Sequence, residues 1–169
     1  MTPETLARIR ARRRAGTVLR SGSFDAAAAV DRVVLDAVER CRRRIVLTGE
    51  AGVRFLIDFE EATALRDGDG LLLDDGGIVA VVARPEPLVE IAVTAGARDR
   101  SRLLARLAWH LGNRHVEVEI CEHVLRMRRD PVLEAMLARL GAVLTPLEAP
   151  FEPERGAWRH SHGDGGEAG

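Results

Sequence analysis

The sequence predicts an α+β protein in two parts: a small antiparallel β domain, then a four-stranded sheet with two helices in the order βαββαβ. Three observations predict it. Up to about residue 83, short apolar runs of strand length are separated by clusters of glycine and aspartate, residues that tolerate the backbone of tight turns. From residue 88 onward, two segments with apolar residues at helical spacing stand among shorter alternating stretches. Between the two regions lies Arg84-Pro85-Glu86-Pro87, whose prolines cannot donate to a sheet ladder and therefore predict a linker. With 169 residues and 46% apolar content, the chain can build an ordinary globular core.

Residues 1–15 read as a basic extension carrying Arg8, Arg10, Arg12, Arg13 and Arg14. Glu4 and the lack of serine there speak against an organelle-targeting segment. The N-terminal β-rich domain is expected over 16–84, with strands at about 16–20, 31–38, 44–49, 53–58, 71–73 and 78–83 and a brief helical turn at 60–66. Val53, Phe55 and Ile57 share one face of their strand. Gly49-Glu50-Ala51-Gly52, Asp67-Gly68-Asp69-Gly70 and Asp74-Asp75-Gly76-Gly77 supply the turns.

The second domain is expected over 85–149: strand 88–94, helix 99–111, strands 115–120 and 122–128, helix 131–140, strand 142–148. Leu103, Leu104, Leu107, Ala108 and Leu111 form the apolar stripe of the first helix, and Gly112-Asn113 ends it with residues that readily take positive φ. Val116, Val118 and Ile120 then alternate with His115, Glu117 and Glu119, which places His115 on the solvent face at the start of a strand. Asp130 caps the second helix, Pro131 occupies its first position and Gly141 follows Leu140. Two helices that each bury one stripe against one sheet predict the split-βαβ, or ferredoxin-like, arrangement. Residues 150–169 read as a flexible tail containing His160 and His162.

Composition excludes several classes. A formal net charge of −1 offers no global field for nucleic acid or anionic lipid, and with no tyrosine and 4% aromatics, stacking surfaces are scarce. No run of about 18 apolar residues and no signal-like leader occur, so a cytoplasmic protein is expected. Cys41 and Cys121 lie far apart without a CxxC pair, which reads as reduced thiols. Asp67, Asp69, Asp74 and Asp75 are not followed by the glutamate that closes a calcium loop. Arg40, Arg42, Arg43 and Arg44 read as a solvated strand entry, with a small docking surface as the alternative. No nucleophile, phosphate-loop or metalloprotease motif occurs, so the chain is expected not to be an enzyme.

Histidine remains. His160-Ser161-His162 would put two imidazoles on one side of an extended chain, able to approach a borderline metal together, or it is simply a polar tail. His115 alone is not a metal site. His110 in the last turn of the first helix suits a helix-end role. His123 and Cys121 could pair on a soft metal, although burial of the thiol is the commoner outcome.

Leu-Gly-Asn-Arg-His after Trp109-His110, the VLxxML helix at 132–137 and the APFEPExGAW segment at 149–158 resemble, in order, the UreE family of urease accessory proteins. Arg43–Gly49 and Leu65–Gly70 extend the resemblance over nearly the whole chain. It implies a nickel metallochaperone with the same fold, in which the GNRH histidine, here His115, binds nickel and tail histidines, here His160 and His162, add ligands. It further implies a homodimer sharing the ion across its two-fold axis, transfer to the urease accessory GTPase and the urease apoprotein complex, and an N-terminal domain like a peptide-binding module. Zinc or copper would compete for such imidazoles in vitro. Histidine-rich members carry further imidazoles where this chain reads Met127-Arg128-Arg129-Asp130-Pro131, so accessory sites are expected to be absent. The alternatives are a ferredoxin-like module binding RNA or protein, disfavoured by the missing aromatics, and a peptide-binding cochaperone with a vestigial metal site.

Overall fold

The computed structural model describes residues 13–61, 63–94 and 97–154, apart from the side chains of residues 97 and 98. The first sheet is built from β1 (Arg14–Leu19), β2 (Asp31–Leu35), β3 (Arg44–Thr48), β4 (Arg54–Asp58), β5 (Gly70–Leu73) and β6 (Ile78–Ala83), in the order β2-β6-β5-β1-β4-β3. Burial alternates along β2 and β6, β4 and β5 are apolar on consecutive residues, and Phe55, Ile57, Leu71, Val79 and Ala15 fill one core. The sheet is mixed rather than antiparallel as expected: β1 pairs with β4, and β2 with β6, in parallel. Periodicity announces a strand but not its partner, and only the β3–β4 and β5–β6 hairpins are joined by local turns.

The sheet curls until β2 meets the β3–β4 turn. Asp31 accepts from the backbone N–H groups of Ala51 at 2.8 Å and Val53 at 2.9 Å, and a Cβ on Gly49 would stand 2.2 Å from its Oδ2. The helical turn expected at 60–66 does not form among the described residues; Leu65 is instead buried, its N–H bonded to Arg40 O. Short 3-10 turns occur at Ala26–Ala28 and Glu39–Cys41, where the sequence pattern signalled none.

The second sheet comprises β7 (Pro85–Ala92), β8 (Glu119–Ile120), β9 (Leu125–Arg128) and β10 (Val143–Pro150), in the order β10-β7-β9-β8 with every neighbouring pair antiparallel. Helices α1 (Ala97–Gly112) and α2 (Pro131–Arg139) cover one face, packing Leu107, Leu111 and Leu137 on Val89, Ile91, Leu125 and Met127. Among the described residues no helix is long and apolar enough to cross a membrane.

Two expectations are corrected here. The predicted linker is the beginning of β7, a central strand: Pro85 pairs with Pro150 and Pro87 with Glu148 of β10. Arg129 N donates to Pro87 O, so the odd-numbered residues face β9, whose last paired residue, Arg128, sits opposite Leu88. The missing N–H groups therefore fall where no strand needs them. The packed chain also continues past 149. Phe151 is fully buried with Leu88 and Ala37, beneath the Arg128 guanidinium at 4.8 Å from its ring centre. One apolar ring and a buried arginine hold what the polar composition made look free: Arg40, 3% exposed, bonds to Phe151 O, Leu65 O and Glu152.

Candidate metal centre

The end of α1 is a six-residue C-terminal motif. His115 N donates to Gly112 O at 3.0 Å and Val116 N to Leu111 O at 3.2 Å, the pair of bonds that closes a Schellman motif around a left-handed residue. That residue is His115, with φ of 56°, the one non-glycine with positive φ among the described residues. At the end of α2 the same two bonds run from Gly141 N to Ala138 O and from Ala142 N to Leu137 O, around a glycine with φ of 88°. A non-glycine residue in this conformation costs about 1–2 kcal/mol, so the helix end holds His115 where glycine would be easier.

This overturns the expected placement of His115 at the start of a strand. The ladder with β9 begins only at Glu119, and 113–118 is turn and irregular chain. Val116 and Val118 still pack inward against the helices, which produced the alternation without a ladder. His115 is nevertheless exposed, as expected.

Side chains reinforce the motif. Asn113 Nδ2 donates to Trp109 O at 2.7 Å, beside the bond from its own N–H at 3.0 Å, and Arg114 Nη1 donates to His110 O at 2.8 Å, a carbonyl of the kind that a helix end leaves without a backbone donor. His110 thus lies in the last turn, half-buried, its ring 5.0 Å from that of Trp109 in an edge arrangement. Trp109 is 64% exposed.

An open groove of about 460 Å³ runs beside His115, lined also by Val116, Glu117, Arg128, Arg129, Asp130 and Leu133. Its carboxylates are engaged. Glu117 bonds to Arg128, and Asp130 Oδ1 caps α2 through Val132 N at 2.8 Å and Leu133 N at 2.9 Å. Burial works against the charge on Arg128, but its bonds to Glu86 and Glu117 more than offset this and hold it firmly protonated. Among the described residues no three His, Cys, Asp or Glu side chains gather in a way that could hold a metal ion. The free donor of the groove is His115.

The root of the tail runs alongside. Glu154 N donates to Val118 O at 2.8 Å and Glu152 N to Glu119 Oε2 at 3.3 Å, so the chain leaves the fold against the segment that follows His115. His160 and His162 lie outside the described residues. Sequence reasoning missed this docking; Phe151, a lone large apolar residue among prolines and glutamates, was its signal.

The other candidates separate from this site. Exposed His123 stands 3.4 Å from Glu122 in the β8–β9 turn. Burial and the neighbouring Glu119 carboxylate push the Cys121 thiol up from its ordinary value, which disfavours the thiolate that binds soft metals.

Residues 12–84 match the family model described as the UreE urease accessory protein N-terminal domain, and residues 86–168 match that of the C-terminal domain. A urease accessory protein UreE of Bradyrhizobium sp. (strain ORS 278) is 52% identical over 139 residues, 80% of this chain and 64% of that protein. That of Beijerinckia indica subsp. indica is 50% identical over 151 residues, 89% of this chain and 84% of that protein. The chain spans less than two thirds of the length of several relatives, among them 60% of the UreE of Rhodopseudomonas palustris (strain HaA2).

Proposed function

The chain belongs to the UreE urease accessory protein family, and from that premise we propose that it is a nickel-binding metallochaperone that delivers nickel during assembly of the urease metallocentre. One observation carries this reading: His115 is exposed at an imposed backbone position, beside carboxylates that arginines and backbone N–H groups already occupy. It is a donor that the fold itself does not use.

One imidazole cannot retain nickel. In our reading a homodimer brings its two copies of His115 together on the two-fold axis, and two neutral imidazoles suit a borderline divalent ion. His160 and His162 add ligands from the tail. Its root is bonded to Val118, and the six residues from Glu154 to His160 span at most roughly 20 Å, enough to return to His115. Ligands on a tether can be exchanged one at a time, which suits an ion that must be handed on to the urease accessory GTPase and the urease apoprotein complex. Zinc and copper would compete for the same donors in vitro.

In this reading 16–84 is a peptide-binding-like domain and 85–149 a ferredoxin-like domain; the order β10-β7-β9-β8 with antiparallel neighbours supports the latter. Free Cys41 and Cys121 suit a reducing cytoplasm. The protein carries its ion without acting as an enzyme. Base stacking finds little support, because the sheet face away from the helices bears Glu90, Arg126 and Glu119 in ion pairs, and the aromatic ring beside them, Phe151, is fully buried.

The test is a calorimetric nickel titration, with sedimentation, of the intact chain and of His115→Ala. The tightest site should disappear in the variant while the fold persists. Unchanged stoichiometry and affinity would overturn the function.

A further inference from the structure

We infer that Asn113 and Arg114 are positioning residues for nickel capture, acting through the end of α1 to hold His115 in its left-handed conformation. The inference rests on the proposed metal role of His115 and goes beyond it by assigning work to the residues between the helix and the ligand.

The strained residue is also the metal donor, and the structure supplies the means to keep it there. A helix can end in many ways when its last carbonyls are open to water. Here Asn113 grips the carbonyl of Trp109 twice, through its backbone N–H and its side-chain amide, and Arg114 closes that of His110, while the backbone bonds of His115 and Val116 close those of Gly112 and Leu111. Four successive carbonyls, 109 to 112, are thereby satisfied. Val116 is drawn into the core with Leu111, which pins the chain immediately after His115. With both flanks held, the imidazole begins from one narrow backbone arrangement.

Asn113 and Arg114 need not touch the ion to do this. The Asn113 amide nitrogen and the Arg114 guanidinium are spent on helix carbonyls, and a guanidinium has no lone pair to offer a cation. The arrangement also explains why glycine is absent from position 115. At Gly141, where the helix only has to stop, the easier residue is used. At His115 the conformation is kept although the side chain opposes it, which is the pattern of strain held in place by its surroundings.

Three variants of the intact chain test the inference, each examined by nickel calorimetry and by thermal melting without nickel. Asn113→Ala should weaken nickel binding by about tenfold, as loss of a group that orients a ligand commonly does, with stoichiometry unchanged. Asn113→Asp keeps the size but loses the donor, so it should bind nickel no better than Asn113→Ala. Tighter binding by Asn113→Asp would mean that the side chain faces the ion as a ligand, and would overturn the positioning role. The double variant Arg114→His/His115→Gly keeps the imidazole, shifts it by one residue and places glycine at the left-handed position. It should stay folded, the relief at position 115 offsetting the lost Arg114 bond, yet bind nickel only as well as His115→Ala; wild-type affinity would show that backbone placement is immaterial. If His115→Ala alone retained wild-type binding, the metal role would fall and the positioning role with it. If His115→Ala lost nickel while Asn113→Asp and the double variant bound normally, only the positioning role would fall.

Discussion

Arg40 reaches from the first domain to the main chain of Phe151, donating to its carbonyl from a guanidinium that is almost wholly out of water. The same group bonds to Leu65 O and to Glu152, so one side chain joins the loop after β4, the end of β10 and the root of the tail. A buried charge held this way is costly to disturb from one side only, because its partners lose their donor.

Arg40→Ala should therefore destabilise the protein by about 2 kcal/mol, within the range for leaving buried carbonyl acceptors without their donor, since Glu152 is 39% exposed and water can take up its charge. Denaturant unfolding would measure it. A loss below about 0.5 kcal/mol, typical of an exposed substitution, would show that the contact is not maintained in solution.

His115→Gly should abolish the tightest nickel site and raise stability by about 1 kcal/mol, since it relieves a left-handed non-glycine residue. Thermal melting without nickel reads the second effect. A lower melting temperature would mean that the imidazole makes a stabilising contact in the fold.

On the proposed reading, in which the tail would supply ligands but not the dimer axis, truncation after Arg159 should leave dimerisation intact and weaken nickel binding. Sedimentation and calorimetry on the truncated chain decide it, and undiminished affinity would remove His160 and His162 from the ligand set.

Acid should act on the first domain through Asp31. Burial alone would raise its pKa, but N–H bonds from Ala51, Val53 and Arg32 outweigh that and bring it below the ordinary carboxylate value. A pKa depressed by folding contributes stability that is complete above the unfolded value, about 3.9, and is lost as pH falls through the folded one. Asp31→Asn should thus lower stability at neutral pH and flatten its decline below about pH 4, near the unfolded carboxylate pKa. Urea unfolding from pH 7 to 3 is the measurement, and parallel curves for the two proteins would dismiss the role.

What could be read from the chain was mostly local. Asp130, Pro131 and Gly141 marked α2 correctly because capping is decided within a few residues. The end of α1 was placed nearly as well, but positive φ was expected at Gly112-Asn113 and occurs at His115, because the extra turn is held by bonds that composition does not reveal. Pro85 and Pro87 looked like a linker because their tolerance in β7 depends on where a distant strand, β9, stops. The parallel pairs of the first sheet are non-local in the same sense. His115 stood out through the resemblance of its motif, whereas its left-handed conformation depends on bonds made by the folded helix end.

The eight-residue ladder between β7 and β10 has a consequence for the order of folding. It joins Pro85–Ala92 to Val143–Pro150, the first and last strands of their sheet, so it must close a long loop before it forms. The hydrogen bond from Glu154 to Val118 lies beyond that ladder and gains its partner only once β10 is in register. A nascent or partly refolded chain would therefore display His115 before it could anchor the root of the tail at Val118, making the proposed donor set a late product of folding. Pulse-labelled hydrogen exchange during refolding should find the Glu154 amide protected no earlier than the amides of β10, and earlier protection would reverse that order.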